Sequence, residues 1–394
     1  MKRLLIATAS LLLAAVVGFF YVAPAVAARR NGVLHKGPYV ASEAARKVHA
    51  GLFIADLHAD SLLWGRDLLQ RGSSGHVDVP RLVEGNVALQ AFTIVTKAPR
   101  SLNIDRNGGD TDNITLLAMA QRWPVATWTS LTERALYQAR ALDDLAQRSK
   151  GKFTVIRDAA GLESYLSRRM VDPTLAAGFL GLEGAHALDG SLSNLDVLFD
   201  AGVRMVAPTH FFDNDLGGSA HGLKKGGLTE KGRAMIRRME EKRMLLDLAH
   251  ASAQTLADAL AVATRPVVVS HTGVKGTCDN ARNLSDEQLR ALAKNGGVVG
   301  IGYWSTAVCG TDAAAIARAI LHAVKVAGVV HVALGSDFDG AVAMPFDTTG
   351  LPLVTEALLR AGMNEHDLKL VMGQNTLHLL REVLPAGQVQ WMGE

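Results

Sequence analysis

The sequence predicts an α/β chain closed into a (β/α)8 TIM barrel, with a helical insertion after the second strand. Three observations predict it. Eight short apolar runs recur along the chain: Gly51–Asp56, Val87–Thr96, Ala177–Glu183, Val203–Pro208, Met244–Leu248, Pro266–Ser270, Gly297–Gly302 and Val330–Ser336. Few of them alternate strictly between apolar and polar, which is how parallel strands buried on both faces read. Helical patterns lie between several of the runs, as crossover connections require. Polar residues able to do chemistry cluster at the ends of the runs, and in a barrel the C-terminal strand ends share one face.

The elements follow in chain order. Lys2 and Arg3 precede a stretch from Leu4 to Ala28 without a charged residue. A basic start and an apolar run form an export signal, and Ala25-Val26-Ala27 offers a small-residue cleavage site. The run is also long enough to span a bilayer. Residues 1–28 are therefore a cleaved signal peptide or a retained membrane anchor. Both place the protein outside the cytoplasm, in a periplasm or on the outer side of a membrane. Residues 29–45 read as a polar connector and residues 46–394 as the barrel domain. The insertion covers residues 97–150, a polar, glycine-rich piece at Asn103–Asn113 followed by amphipathic stretches at Leu116–Trp123 and Leu131–Leu145. It reads as a lid or packing subdomain. Further helices are expected at Leu228–Arg243, Ala251–Thr264, Leu284–Ala293 and Ala313–Ala327. Ser285 caps the third of these, with Asp286 and Glu287 in its first turn where the dipole favours anions. An open doubly wound sheet is the structural alternative, but no glycine-rich dinucleotide fingerprint follows the first run.

Composition excludes some functions. Of 394 residues, 48% are hydrophobic and 20% charged, an ordinary globular balance. The formal net charge is only +3 and aromatic residues make up 5%, without basic runs interleaved with aromatics. Nucleic acid is therefore not an expected partner. The two cysteines, Cys278 and Cys309, permit one disulfide in an exported chain, or stand as two buried thiols. Oligomeric state stays open, a homodimer included.

The chemistry is carried by side chains at the run ends. His58-Ala59-Asp60 follows the first run, and i, i+2 spacing in a strand puts both side chains on one face. Nitrogen and oxygen donors so paired suit Zn2+. Asp56 is a candidate to orient a histidine ligand. Glu183 ends the third run between apolar residues and Gly184, where a carboxylate needs a partner. Two cations, one on each oxygen, would satisfy it. His210 follows the fourth run. His250 closes the fifth and His271 the sixth, a natural imidazole pair for a second metal. Asp337 follows the eighth run and is placed to move a proton, while Asp339, before Gly340, fits a turn better. Arg282, after the sixth run, can clamp a carboxylate bidentately. His186 reads as structural.

At these residues the chain resembles the membrane dipeptidase family, within the amidohydrolase-type metal barrels. The matching segments are Asp56-Leu57-His58-Ala59-Asp60, Gly181–Leu188, Pro208-Thr209-His210, Leu246–Ser252, Val269–Thr272, Cys278–Ser285 and Gly335–Gly340. They occur in family order from about residue 40 to about residue 385. The resemblance implies a zinc-dependent dipeptidase with two Zn2+ per subunit. His58 and Asp60 would bind the first ion, His250 and His271 the second, and Glu183 would bridge them. Water activated between the ions would attack the peptide bond of a dipeptide. His210 would contact the substrate and stabilise the oxyanion, Arg282 would hold the C-terminal carboxylate, and Asp337 would be the acid/base. Ala59 stands where animal members carry Asn, and Gly302-Tyr303-Trp304 departs from the family's usual Asn-Phe-Tyr-like region. Tyr303, or Trp304 beside it, is therefore a substrate-binding candidate, and the substrate side chain is left open. Two alternatives remain: a related amide, lactone or β-lactam hydrolase on the same dinuclear barrel, and a catalytically dead exported binding protein. The last expects a missing metal ligand, and all are present.

Overall fold

The computed structural model describes residues 1–387; the end of the expected barrel segment, 388–394, lies outside the described residues. Among the described residues, nine parallel strands form one sheet. They are β1 (Ile54–Ala59), β2 (Val87–Val95), β3 (Phe153–Val155), β4 (Ala176–Glu183), β5 (Val203–Val206), β6 (Leu245–Leu246), β7 (Val268–Thr272), β8 (Val298–Ile301) and β9 (Val332–Leu334). Eight of them run in the order β6-β5-β4-β2-β1-β9-β8-β7. The two end strands meet at a parallel bridge between Asp247 and Val268, where Leu248 N donates to Val268 O at 2.7 Å. That contact closes the ring. Every residue of the eight ring strands is buried, which explains why their sequences run apolar without alternation.

The eight ring strands are the eight apolar runs. β3 is the strand that sequence reading missed. It is three residues long, only Phe153 is fully buried, and it pairs with the start of β4 outside the ring. Boundaries also move. His58 lies inside β1 and His271 inside β7 rather than beyond them.

Local signals account for the helices. Ser285 accepts from Gln288 N while the Gln288 side chain accepts from Ser285 N, a complete capping box at the start of Asp286–Lys294. Ser252 caps Ala253–Val262, Asp312 caps Ala313–Ala327, and Thr229 caps Glu230–Glu241. The insertion contains helices Ile114–Ala120 and Leu131–Arg148. Buried Arg134 ties it to the barrel, donating to Thr96 O and Thr127 O and pairing with Asp112.

The N-terminal helix spans Lys2–Arg30 and includes a stretch long and apolar enough to cross a membrane. The connector after it is docked along the domain. Leu34 N donates to Met344 O at 2.8 Å, His35 N to Pro345 O at 3.1 Å, and Ala341 N to Asn31 Oδ1 at 2.9 Å. Its end is helical, because Glu43–Ala50 forms a helix capped by Ser42. Cys278 and Cys309 form a disulfide with a Cα–Cα distance of 5.3 Å. It joins the loop after β7 to the segment after β8.

Candidate metal centre

The C-terminal ends of the ring strands bring His58, Asp60, Glu183, His210, His250, His271 and Asp337 into one buried cluster. Three overlapping groups have ligand atoms within 4.8 Å of one another: His58, Glu183 and His271; Glu183, His210 and His250; His58, Asp60 and Asp337. Glu183 is common to two of them. Its Oε1 lies 2.9 Å from His250 Nε2, 3.3 Å from His271 Nε2 and 3.6 Å from His58 Nε2. Its Oε2 lies 3.2 Å from His210 Nε2. His58 Nε2 is 3.4 Å from Asp60 Oδ1 and 3.9 Å from Asp337 Oδ1. Ligand atoms around one tetrahedral zinc, each about 2 Å from the ion, stand about 3.3 Å apart. The observed spacings bracket that value.

Neighbours aim these side chains. Ser270 Oγ stands 3.2 Å from His58 Nδ1 and 3.0 Å from His271 Nδ1. A hydroxyl oxygen has two lone pairs. When both Nδ1–H groups donate to it, both Nε2 atoms are left bare toward the cluster, the form a metal needs. Asp247 Oδ1 holds Ser270 by accepting from its N–H at 2.9 Å. Thr93 Oγ1 donates to Asp60 Oδ1 at 2.5 Å. Gly184 has φ of +95°, and a Cβ there would stand 2.3 Å from the His186 ring, so the turn that presents Glu183 needs glycine. His250 and Asp337 also sit in the left-handed region, at φ 61° and 63°. Such backbone is uncommon outside glycine and gathers at functional sites. At Gly340 a Cβ would stand 1.9 Å from Asp337 Oδ1, so only glycine lets that carboxylate fold back over its own turn.

The electrostatics ask for cations. Burial, then the charge of Asp60, pushes Glu183 well above the usual carboxylate range. Burial likewise raises Asp337 to about 8, with His58 acting against the rise and Asp60 adding to it. Burial would lower His58, but Glu183, Asp60 and Asp337 carry it up to about 10. His210, His250 and His271 are driven well down by burial and are neutral. Several imidazole nitrogens here are buried without a hydrogen-bond partner, including His58 Nε2, His210 Nδ1 and His250 Nδ1. Three carboxylates and four imidazoles crowded out of water, with lone pairs unused, fit divalent metal ions and are costly without them.

Around the cluster, some expectations change. Asp56 orients no imidazole: its carboxylate accepts from Gln90 Nε2 at 2.8 Å, Ser336 N at 2.9 Å, Ser336 Oγ at 3.0 Å and His58 N at 3.1 Å. It fastens β1 to its neighbours β2 and β9. Tyr303 is fully buried between Phe338 and Phe346 and touches no cluster imidazole. The next residue, Trp304, faces the centre instead, with its ring 5.8 Å from the His271 ring and 5.7 Å from the Arg282 guanidinium. Arg282 is buried and donates to His271 O at 2.7 Å. His210 reaches ligand range of Glu183, closer than a purely substrate-facing role requires. His186 is buried against Phe212, and neither ring nitrogen has a hydrogen-bond partner. Asp339 is a structural hub, accepting from Ser61 Oγ at 2.6 Å and His76 N at 2.8 Å while paired with Arg66. Ser270, Thr93 and Asp247 were invisible in the sequence, because a lone hydroxyl or carboxylate inside an apolar run carries no spacing signal.

A parallel barrel with imidazoles and carboxylates converging at its strand ends defines a metal-dependent hydrolase. The chain belongs to the membrane dipeptidase family, peptidase family M19, whose profile matches residues 42–390. It is 28% identical over 322 residues to the dipeptidase tcpJ of Claviceps purpurea, covering 79% of this chain and 70% of that protein. An uncharacterized protein of the pqqA 5' region of Klebsiella pneumoniae is 30% identical over 262 residues, 62% of this chain and 94% of that one. Two crystal structures share the fold. A dipeptidase AC of family M19 superposes with a TM-score of 0.70 at 24% identity, covering 85% of this chain and 99% of its own. A metallopeptidase from Rhodobacter sphaeroides, liganded with a phosphinate mimic of the dipeptide L-Ala-D-Ala, gives 0.65 at 24% identity, covering 84% and 99%. The chain is thus a metallopeptidase of the dipeptidase type, and its substrates are dipeptides.

Proposed function

We propose that this protein hydrolyses dipeptides with two zinc ions, which His58, Asp60, Glu183, His250 and His271 would hold, Glu183 being shared between them. The observation that carries the reading is the meeting of the Glu183 oxygens with four imidazole Nε2 atoms at 2.9–3.6 Å. When bound, the metals polarise the scissile carbonyl and bring the pKa of water from 15.7 toward about 7.

The chain's own residues supply the rest. Arg282, buried beside Trp304, holds the substrate's free carboxylate, with its charge strengthened by exclusion of water. Trp304 walls the same end. His210 donates from Nε2 to the carbonyl oxygen as it becomes an oxyanion. Asp337 accepts the proton of the attacking water and delivers it to the leaving amine nitrogen, so the C–N bond breaks as a neutral amine departs. The N-terminal helix Lys2–Arg30 acts as export signal or tether and places the enzyme on the outer side of a membrane.

Metal analysis of protein purified without chelator, with turnover of L,L and L,D dipeptides, N-acyl amino acids and lactones, tests the reading. Two zinc ions per chain and preference for dipeptides are expected. Preference for the lactones, or zinc well below one per chain, would overturn it.

A further inference from the structure

Arg282 accounts for one end of a dipeptide and the metal cluster for its middle, which leaves the amino end without an acceptor. The loop between β5 and the helix Glu230–Glu241 carries a residue not yet used. His221 is 2% exposed, with its ring 5.0 Å from the His250 ring and 5.2 Å from that of Phe211. His221 Nδ1 stands 2.6 Å from the carbonyl oxygen of Ile104, in the insertion. A carbonyl only accepts, so Nδ1 carries the ring proton. Its Nε2 is buried and has no hydrogen-bond partner among the described residues. A buried acceptor left so is costly, and a site can recover that cost when a donor arrives with the substrate.

The ring is also held still. Asn107 N donates to His221 O at 2.7 Å and Asn107 Nδ2 donates to the same oxygen at 3.3 Å. His221 N donates to Ser219 Oγ at 3.1 Å. The insertion and the β5 loop thus fix an imidazole whose one free atom is an acceptor.

A dipeptide offers few donors. Its carboxylate and its carbonyl oxygen only accept. Its peptide nitrogen must receive a proton during cleavage and so belongs to Asp337. The ammonium remains. We infer that His221 Nε2 accepts a hydrogen bond from the α-ammonium of the substrate's first residue, forming an amino-terminus subsite. This rests on the dipeptidase reading above. With both ends of the substrate gripped by buried groups, the site measures length as well as charge, and N-acylated dipeptides and tripeptides fit it poorly.

The test compares an alanyl dipeptide with its des-amino counterpart, the same molecule with a propionyl group in place of alanyl. The parent enzyme is expected to favour the free amine, and His221→Leu to lose about 10- to 100-fold in kcat/KM on it, the worth of one hydrogen bond to a charged group. The same variant should leave the des-amino substrate unchanged. His221→Gln, whose amide can donate to Ile104 O and still offer an oxygen, should keep most of the discrimination. Calorimetric binding of phosphinate dipeptide mimics with and without the amino group, to protein of measured metal content, gives a readout apart from turnover. Equal losses on both substrates in His221→Leu would mean a purely structural ring, and a drop in bound metal would mean a ligand. Either overturns the inference, as does indifference of both variants to the amino group. Should the parent turn over no dipeptide at all, the functional reading falls, while binding of the paired mimics still decides the subsite.

Discussion

At the scale of single residues, the proposed reading divides the cluster into groups that hold metal and groups that handle substrate, and substitutions should separate with them. Asp337→Asn keeps the shape and removes the proton acceptor. It should lower kcat by roughly 10²- to 10⁴-fold while zinc content, measured by elemental analysis, stays at the parent level. Arg282→Met should instead raise KM and abolish the preference for a free C-terminus; unchanged KM would sink the clamp. The cluster residues were legible in the sequence because each is a His, Asp or Glu at or just past the end of an apolar run, where an unpartnered buried polar group is costly. Tyr303 and Trp304 were not separable. Adjacent residues leave a strand on opposite sides, and which side faced the mouth depended on where β8 ended. Ser270 stayed hidden because its role, accepting from two imidazoles 212 and 1 positions away on β1 and β7, exists only once those strands meet.

Elements carry their own expectations. The disulfide ties the loop bearing Arg282 to the segment just after Trp304, closing 31 residues of chain. In the chain-entropy view, a loop of that size is worth roughly 3–4 kcal/mol. Cys278→Ser with Cys309→Ser should therefore lower the urea midpoint and raise KM more than it lowers kcat. Away from the site, the helix Glu43–Ala50 buries His49, whose Nε2–H donates to Gly85 O while Nδ1 accepts from Thr355 Oγ1. Burial lowers its pKa in the folded state, against about 6.5 when unfolded. The folded chain thus resists protonation. Its contribution to stability is complete above pH of about 6.5 and declines as the medium grows more acidic. Urea titrations from pH 7.5 downward should show a smaller decline for His49→Gln than for the parent. The ring strands could be read from apolar runs, because both faces are covered; β3 could not, because three residues with one buried side chain lack both length and pattern.

For the molecule as a whole, the metal centre is part of the fold. Removing the ions leaves the carboxyl groups of Asp60, Glu183 and Asp337 buried together without the cations that would compensate them. Chelation should lower the melting temperature, and zinc should restore it, by about 2.7 kcal/mol at a hundredfold excess over the dissociation constant. Cell fractionation of the full chain and of a chain lacking residues 2–30 checks the tether: sedimentation of the first with membranes and release of the second is the expected outcome. The route of the chain after the N-terminal helix has a practical side. Residues 31–35 are hydrogen-bonded to 341–345, just beyond the turn that carries Asp337, whereas Pro385 and Ala386 are held at the start of the helix Ala159–Val171. An affinity handle or a solid support joined at the front of the domain would crowd the doorway through which peptides enter and leave. One joined at the back would leave it clear, so beads coupled through the far terminus should retain turnover that beads coupled through the near one forfeit.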